Sequence, residues 1–128
     1  MSDISMLNGK KVLAVDDEPD ILEVLEELLD MCEVTTATTF DQAKLLLESR
    51  EFNIAVLDIM GVDGYGLLDI ANKRDIPAIM LTAHAFNAKN LVRTIKEGAY
   101  SYIPKEEISE IASYMVDALI AREKGENP

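Results

Sequence analysis

One cysteine and one histidine in 128 residues leave this chain without the ligand set that zinc favours. Cys32 has no partner for an internal disulfide, and its place at the end of an apolar helix pattern predicts a small buried side chain, not a reactive thiol. Positive charge is scarce as well: 12 Lys and Arg face 24 Asp and Glu, a formal net charge of −12 and a pI of about 4.4. Such a surface repels nucleic acid and anionic lipid, so neither is expected as a partner. No apolar run approaches the ~18 residues of a membrane span, and nothing near the start resembles a signal peptide. The expected location is the cytoplasm. Repeats, low-complexity stretches and linkers are absent. With 48% hydrophobic and 28% charged residues, the chain has the balance of a globular protein. The expectation is one domain over 9–124, with 1–8 and 125–128 as short flexible ends.

What is there is a set of short apolar runs that end on polar groups. Asn53-Ile54-Ala55-Val56-Leu57-Asp58 is too short for a buried helix and fits a strand covered on both faces, stopping on a carboxylate. Lys11 to Val15 does the same before Asp16-Asp17. A strand over 76–81 ends on Thr82, with Pro77 tolerable only near its start, and one over 101–104 ends on Lys105. A short Thr- and Val-rich strand is expected over 34–37.

Helical patterns separate these runs. Ile21, Leu22, Leu25, Leu28, Leu29 and Cys32 follow one buried stripe behind Pro19, which belongs in a first turn. Thr39 and Gln42 read as a capping box for a helix with Phe40, Ala43, Leu46 and Leu47 inward. After the turn Gly61-Val62-Asp63-Gly64, Leu67, Leu68 and Ala71 mark a short third helix ending near Arg74. Asn87 is the expected cap of a fourth helix, closed by Gly98. A long last helix is expected over 106–124, with Ile108, Ile111, Ala112, Met115 and Leu119 inward. Val116, Ile120 and Tyr114 flank that stripe, making the helix more apolar than packing needs. Five β-α units with right-handed crossovers give an α/β fold, one parallel sheet with helices on both faces.

In such a sheet the crevice beyond the strand ends takes the ligand. If the first and third strands are neighbours, Asp16, Asp17 and Asp58 converge, and three like charges would force one to protonate. A hard dication resolves the conflict, and Mg²⁺ is commonly held by carboxylates plus substrate phosphate. Lys105 and Thr82 could hold two phosphoryl oxygens, leaving Asp58 to attack phosphorus as a carboxylate nucleophile. Taken singly, Asp16 and Asp58 could be helix caps, Thr82 an N-cap and Lys105 a surface lysine; together they favour the functional reading.

Val-Asp-Asp-Glu-Pro at 15–19, Leu-Asp-Ile-Met at 57–60, Asp-Gly at 63–64, Leu-Thr-Ala at 81–83 and Gly-Ala-Tyr-Ser-Tyr-Ile-Pro-Lys at 98–105 strongly resemble the receiver domain of bacterial two-component response regulators, in its stand-alone, chemotaxis-regulator-like form. The resemblance implies a flavodoxin-like fold of strand order 2-1-3-4-5 and phosphoryl transfer from a histidine kinase or phosphotransfer protein to Asp58. It implies Asp17 as a direct Mg²⁺ ligand, Asp16 as one acting through water, and the Met60 backbone carbonyl as a further ligand. Thr82 and Tyr102 take the position of the switch pair. Met60 and His84 border the path of the water that would hydrolyse the adduct. The face of the fourth helix, fifth strand and fifth helix would bind an output protein or a second copy. Three departures stand out. The loop before Asp63-Gly64 is two residues shorter than usual, Pro104 precedes the lysine instead of a proline following it, and the segment from Asp69 to Pro77 is short.

Two other functions share these residues. A Mg²⁺-dependent aspartyl-phosphate hydrolase typically needs a second Asp two residues after the nucleophile, where Met60 stands. A non-phosphorylated scaffold would have no use for all five reactive positions.

Overall fold

Burial sorts the strands by their place in the sheet. All five residues of β3 (Ile54–Asp58) and of β4 (Ala78–Thr82) are buried, as are the last four of β1 (Lys11–Val15). β2 (Glu33–Ala37) and β5 (Ser101–Pro104) are half exposed. They are the two edges of a parallel sheet of order β2-β1-β3-β4-β5. This is the flavodoxin-like order, and it makes β1 and β3 neighbours. The computed structural model describes residues 4–83 and 88–125.

Alternation along the buried strands feeds two cores. Leu13, Val15, Ala55, Leu57 and Met80 point to one side, against Ala43 and Leu47 of α2 (Phe40–Ser49) and Leu67, Leu68 and Ala71 of α3 (Gly64–Lys73). Val12, Ala14, Ile54, Val56, Ile79 and Leu81 point to the other. There they meet Leu22 and Leu25 of α1 (Pro19–Leu28) and Ile111, Met115 and Val116 of α5 (Ile111–Glu123). A side-chain period of two lets one strand serve both layers. α4 (Ala88–Lys96) lies beside α3: Tyr65 Oη and Thr94 Oγ1 are hydrogen-bonded at 3.0 Å in a buried contact, and Asn72 Nδ2 donates to the Glu97 carbonyl at 2.6 Å.

Local signals act largely as read. Pro19 opens α1. The Gln42 N–H donates to Thr39 Oγ1 at 3.2 Å, but the return bond of the capping box is displaced by one residue: Gln42 Oε1 accepts from the Thr38 N–H at 3.0 Å. Gly98, at φ +95°, follows α4 as expected.

Several expectations need correction. Within the segment expected to be a flexible end, Ile4–Leu7 forms a 3-10 turn with Leu7 fully buried against the α5 side of the sheet. The helix expected over 106–124 is two pieces. A 3-10 segment, Lys105–Glu110, contains Glu107 at non-helical φ/ψ, and α5 begins only at Ile111. Val116 belongs to the core with 0% exposure, and Tyr114 and Ile120 pack half-buried on it, so α5 has no spare apolar face there. α3 is not stunted; its ten residues equal α1 and α2. Cys32 is half-buried, its Sγ donating to the Leu7 carbonyl at 3.4 Å. The Asn87 cap and His84 lie outside the described residues.

Candidate functional site

The register of the sheet brings the acids together. Val15 pairs with Leu57, so Asp16 and Asp58 are the next residues on adjacent strands at the C-terminal edge. Asp58 in turn pairs with Leu81, and Thr82 with Pro104, which sets Thr82 and Lys105 at the same edge. Asp16, Asp58 and Thr82 are buried, whereas Asp17 is exposed.

Asp16 is held from both sides. One oxygen, Oδ1, accepts the Glu18 N–H at 2.9 Å, a local turn that short acidic side chains favour. The other, Oδ2, lies 2.9 Å from Lys105 Nζ. The same ammonium stands 3.3 Å from Asp58 Oδ1 and donates to Glu18 Oε2 at 3.2 Å. Lys105 thus ties the end of β5 to the ends of β1 and β3. The capping alternative for Asp58 falls away, because Asp63 caps α3, its Oδ1 accepting the Gly66 N–H at 3.2 Å. The residue at the start of α1, Glu18, makes no side-chain cap bond.

One ammonium does not neutralise this group. Two unit charges 4 Å apart interact by about 4 kcal/mol at an effective dielectric of 20. Burial is the main cause that pushes the Asp58 carboxyl up to about 6, with the charge of Asp16 adding to it and Lys105 opposing it. Burial likewise raises Asp16, against the Glu18 N–H and Lys105. For Lys105, burial pulls the amine down, but Asp16, Asp58 and Glu18 more than reverse this and hold it above its ordinary value.

The donor set fits a small hard cation. Asp16, Asp17 and Asp58 each offer an oxygen, all within 4.8 Å of one another. Oxygens bound to one octahedral Mg²⁺ at about 2.0–2.1 Å lie roughly 3–4 Å apart, inside that range. The backbone is shaped to the same end: Gly61 approaches Asp17 so closely that a Cβ on it would lie 2.5 Å from Oδ2.

Tyr102 lies on β5 opposite Met80, so its ring shares a sheet face with Thr82 two residues further along β4. The ring packs on the α2–α3 core, and its Oη is buried without a hydrogen-bond partner. Met60 is 67% exposed. The structure therefore gathers Asp16, Asp17, Asp58 and Lys105 at one edge, with Thr82 at the neighbouring strand end. Glu18 was legible only as a member of the Val-Asp-Asp-Glu-Pro run at 15–19; its contact with Lys105 is a long-range one that this run does not announce.

Residues 12–115 match the family description "response regulator receiver domain". The chain belongs to this family. Similar relatives include the two-component response regulator ARR12 of Arabidopsis thaliana, 33% identical over 93% of this chain and 22% of that protein, and the probable transcriptional regulator ycf27 of Cyanophora paradoxa, 38% identical over 77% and 43%. The receiver thus spans about a fifth of the plant relative and under half of the other. Among solved structures, a CheY-like receiver domain protein from Methanospirillum hungatei matches at TM-score 0.74 and 27% identity, over 89% of this chain and 98% of that one. The BeF3-activated DrrB receiver domain matches at TM-score 0.74 and 26% identity, over 88% and 97%. The receiver assignment agrees with two-component phosphorelay signalling.

Proposed function

We propose that this receiver accepts a phosphoryl group on Asp58 from a histidine kinase or phosphotransfer protein, and that the adduct switches a protein-binding face. The observation that carries it is the grouping of Asp58 with two further carboxylates and the Lys105 amine at one sheet edge. An ionised Asp58 oxygen attacks phosphorus, and the bond to the donor breaks with its electron pair leaving on the donor. Lys105 and Thr82 then hold phosphoryl oxygens, the amine by charge and the hydroxyl by donation. Asp16, Asp17 and the Met60 carbonyl would hold Mg²⁺ beside Asp58. Bound there, the ion would offset the negative charge that accumulates as the phosphoryl group moves.

Thr82 and Tyr102 would carry the switch, since Tyr102 places an unsatisfied hydroxyl in the interior on the same sheet face. The responsive surface would centre on α4, where Val92 and Ile95 are exposed, and less on α5. It would take an output protein or a second copy. Among the described residues no helix is long and apolar enough to cross a membrane, and a cytoplasmic setting fits this reading.

Incubation with a small acyl-phosphate donor and Mg²⁺ tests it. A stable adduct at Asp58, absent from Asp58→Asn, is expected. Rapid turnover without accumulation would favour a hydrolase, and no reaction would leave a scaffold.

A further inference from the structure

Lys105 has one carboxylate for each of its N–H groups, and the exposed one has a directed hydrogen bond. An ammonium offers three N–H groups. Here Nζ donates to Glu18 Oε2 at 3.2 Å and stands 2.9 Å from the fully buried Asp16 Oδ2. Asp58 Oδ1 stands 3.3 Å away. A phosphoryl oxygen arriving on Asp58 is a fourth acceptor competing for three N–H groups.

The carboxylates differ in what their release would cost. Asp16 has 0% side-chain exposure, and withdrawing its counter-ion would strand a buried charge. Glu18 is 60% exposed and would return to water. It also caps nothing, since its side chain makes no bond at the start of α1.

We infer that Glu18 is a positioning residue, acting through Lys105: its carboxylate occupies the amine in the unphosphorylated protein and is the group exchanged for a phosphoryl oxygen when Asp58 is modified. Glu18 thereby sets a threshold on phosphoryl acceptance. The inference rests on the receiver reading and deepens it.

Phosphorylation rates with a small acyl-phosphate donor at saturating Mg²⁺ test it in five proteins: wild type, Glu18→Gln, Asp20→Asn, Lys105→Met and Glu18→Gln/Lys105→Met. Removing a competing exposed ion pair should speed acceptance about twofold to fivefold in Glu18→Gln. Asp20→Asn, the same change of charge two residues along the chain, should leave the rate as it is. In the Lys105→Met background, adding Glu18→Gln should change nothing. A merely structural Glu18 would give no gain of rate. An unchanged or lowered rate in Glu18→Gln, or a gain that persists without the lysine, overturns the inference while wild type still forms its adduct. A wild-type chain that takes no phosphoryl group overturns the receiver reading, and this inference with it.

Discussion

Gly61 gives way to Asp17: its backbone stands at φ +82°, and a methyl group there would press 2.5 Å from Asp17 Oδ2. Both the left-handed backbone and the missing side chain are needed in the shortened loop after Asp58. Gly61→Ala should displace the Asp17 carboxylate and weaken Mg²⁺ binding by about tenfold, equivalent to ~1.4 kcal/mol. Titration calorimetry with Mg²⁺ checks this, and an unaltered affinity would show that Asp17 does not hold the ion.

Mild acid should stabilise the metal-free protein. Asp58 has its pKa pushed from 3.8 up to about 6 in the fold, so the folded chain binds this proton more readily than the unfolded one. Its stabilising contribution is complete below about pH 4 and is lost as the pH rises through about 6. The span corresponds to something on the order of 3 kcal/mol; Asp16, also raised, acts in the same direction. Urea unfolding should therefore show stability falling from pH 5 to pH 7, and Asp58→Asn should flatten the slope and be the more stable protein at pH 7. Mg²⁺ should flatten it too, by favouring the ionised carboxylates. A slope of the opposite sign would contradict the burial of Asp58 as described.

The lifetime of an adduct should depend on Met60, two residues past Asp58 and 67% exposed. Its thioether accepts hydrogen bonds weakly and cannot orient a water, whereas an amide can. Met60→Asn should speed hydrolysis of the adduct several-fold, on the scale of orienting one reactant. His84→Ala should slow it, by removing an imidazole that positions water. Decay of the phosphorylated protein with Mg²⁺ measures both.

The buried Tyr65–Thr94 pair should be worth more than its single hydrogen bond. Tyr65→Phe strands Thr94 Oγ1, which has 0% exposure, and should cost about 1–3 kcal/mol. Arg93 lies over the Tyr65 ring, 3.8 Å from its centroid, so the ring itself keeps its packing in this variant. Thr94→Val made on top of Tyr65→Phe should recover part of the loss. Chemical denaturation of the two single variants and the double variant decides, and strict additivity would rule the coupling out.

Reading the chain in order locates each strand to within two residues, because a buried parallel strand is nearly all apolar and ends where a polar residue must reach the edge. Helix stripes were harder. Val116 reads as flanking the core stripe of α5, yet it is sealed because the Ile4–Leu7 turn and α1 share that layer with α5. A segment such as Ile4–Leu7 has no periodicity from which to infer its burial. The expected last helix carried a continuous pattern from Ile108, but the 3-10 segment and the non-helical Glu107 come from joining Pro104 of an edge strand to a helix on one face. At the site, the residue types and strand-end positions were legible for Asp16, Asp17, Asp58, Thr82 and Lys105. The contact between Glu18 and Lys105, 87 positions apart, depends on two loops meeting and leaves no local trace.

Lys105 stands at the end of β5, which has a strand on one side only, while the carboxylates it faces end β1 and β3 in the interior. The amine therefore works as a staple across the sheet, fastening its least protected border to its middle. Peeling β5 away would remove the cation and leave three carboxylates confronting one another, so fraying and charge imbalance rise together. Whatever occupies the carboxylates must consequently be felt along β5, as a change in how readily the edge of the sheet opens.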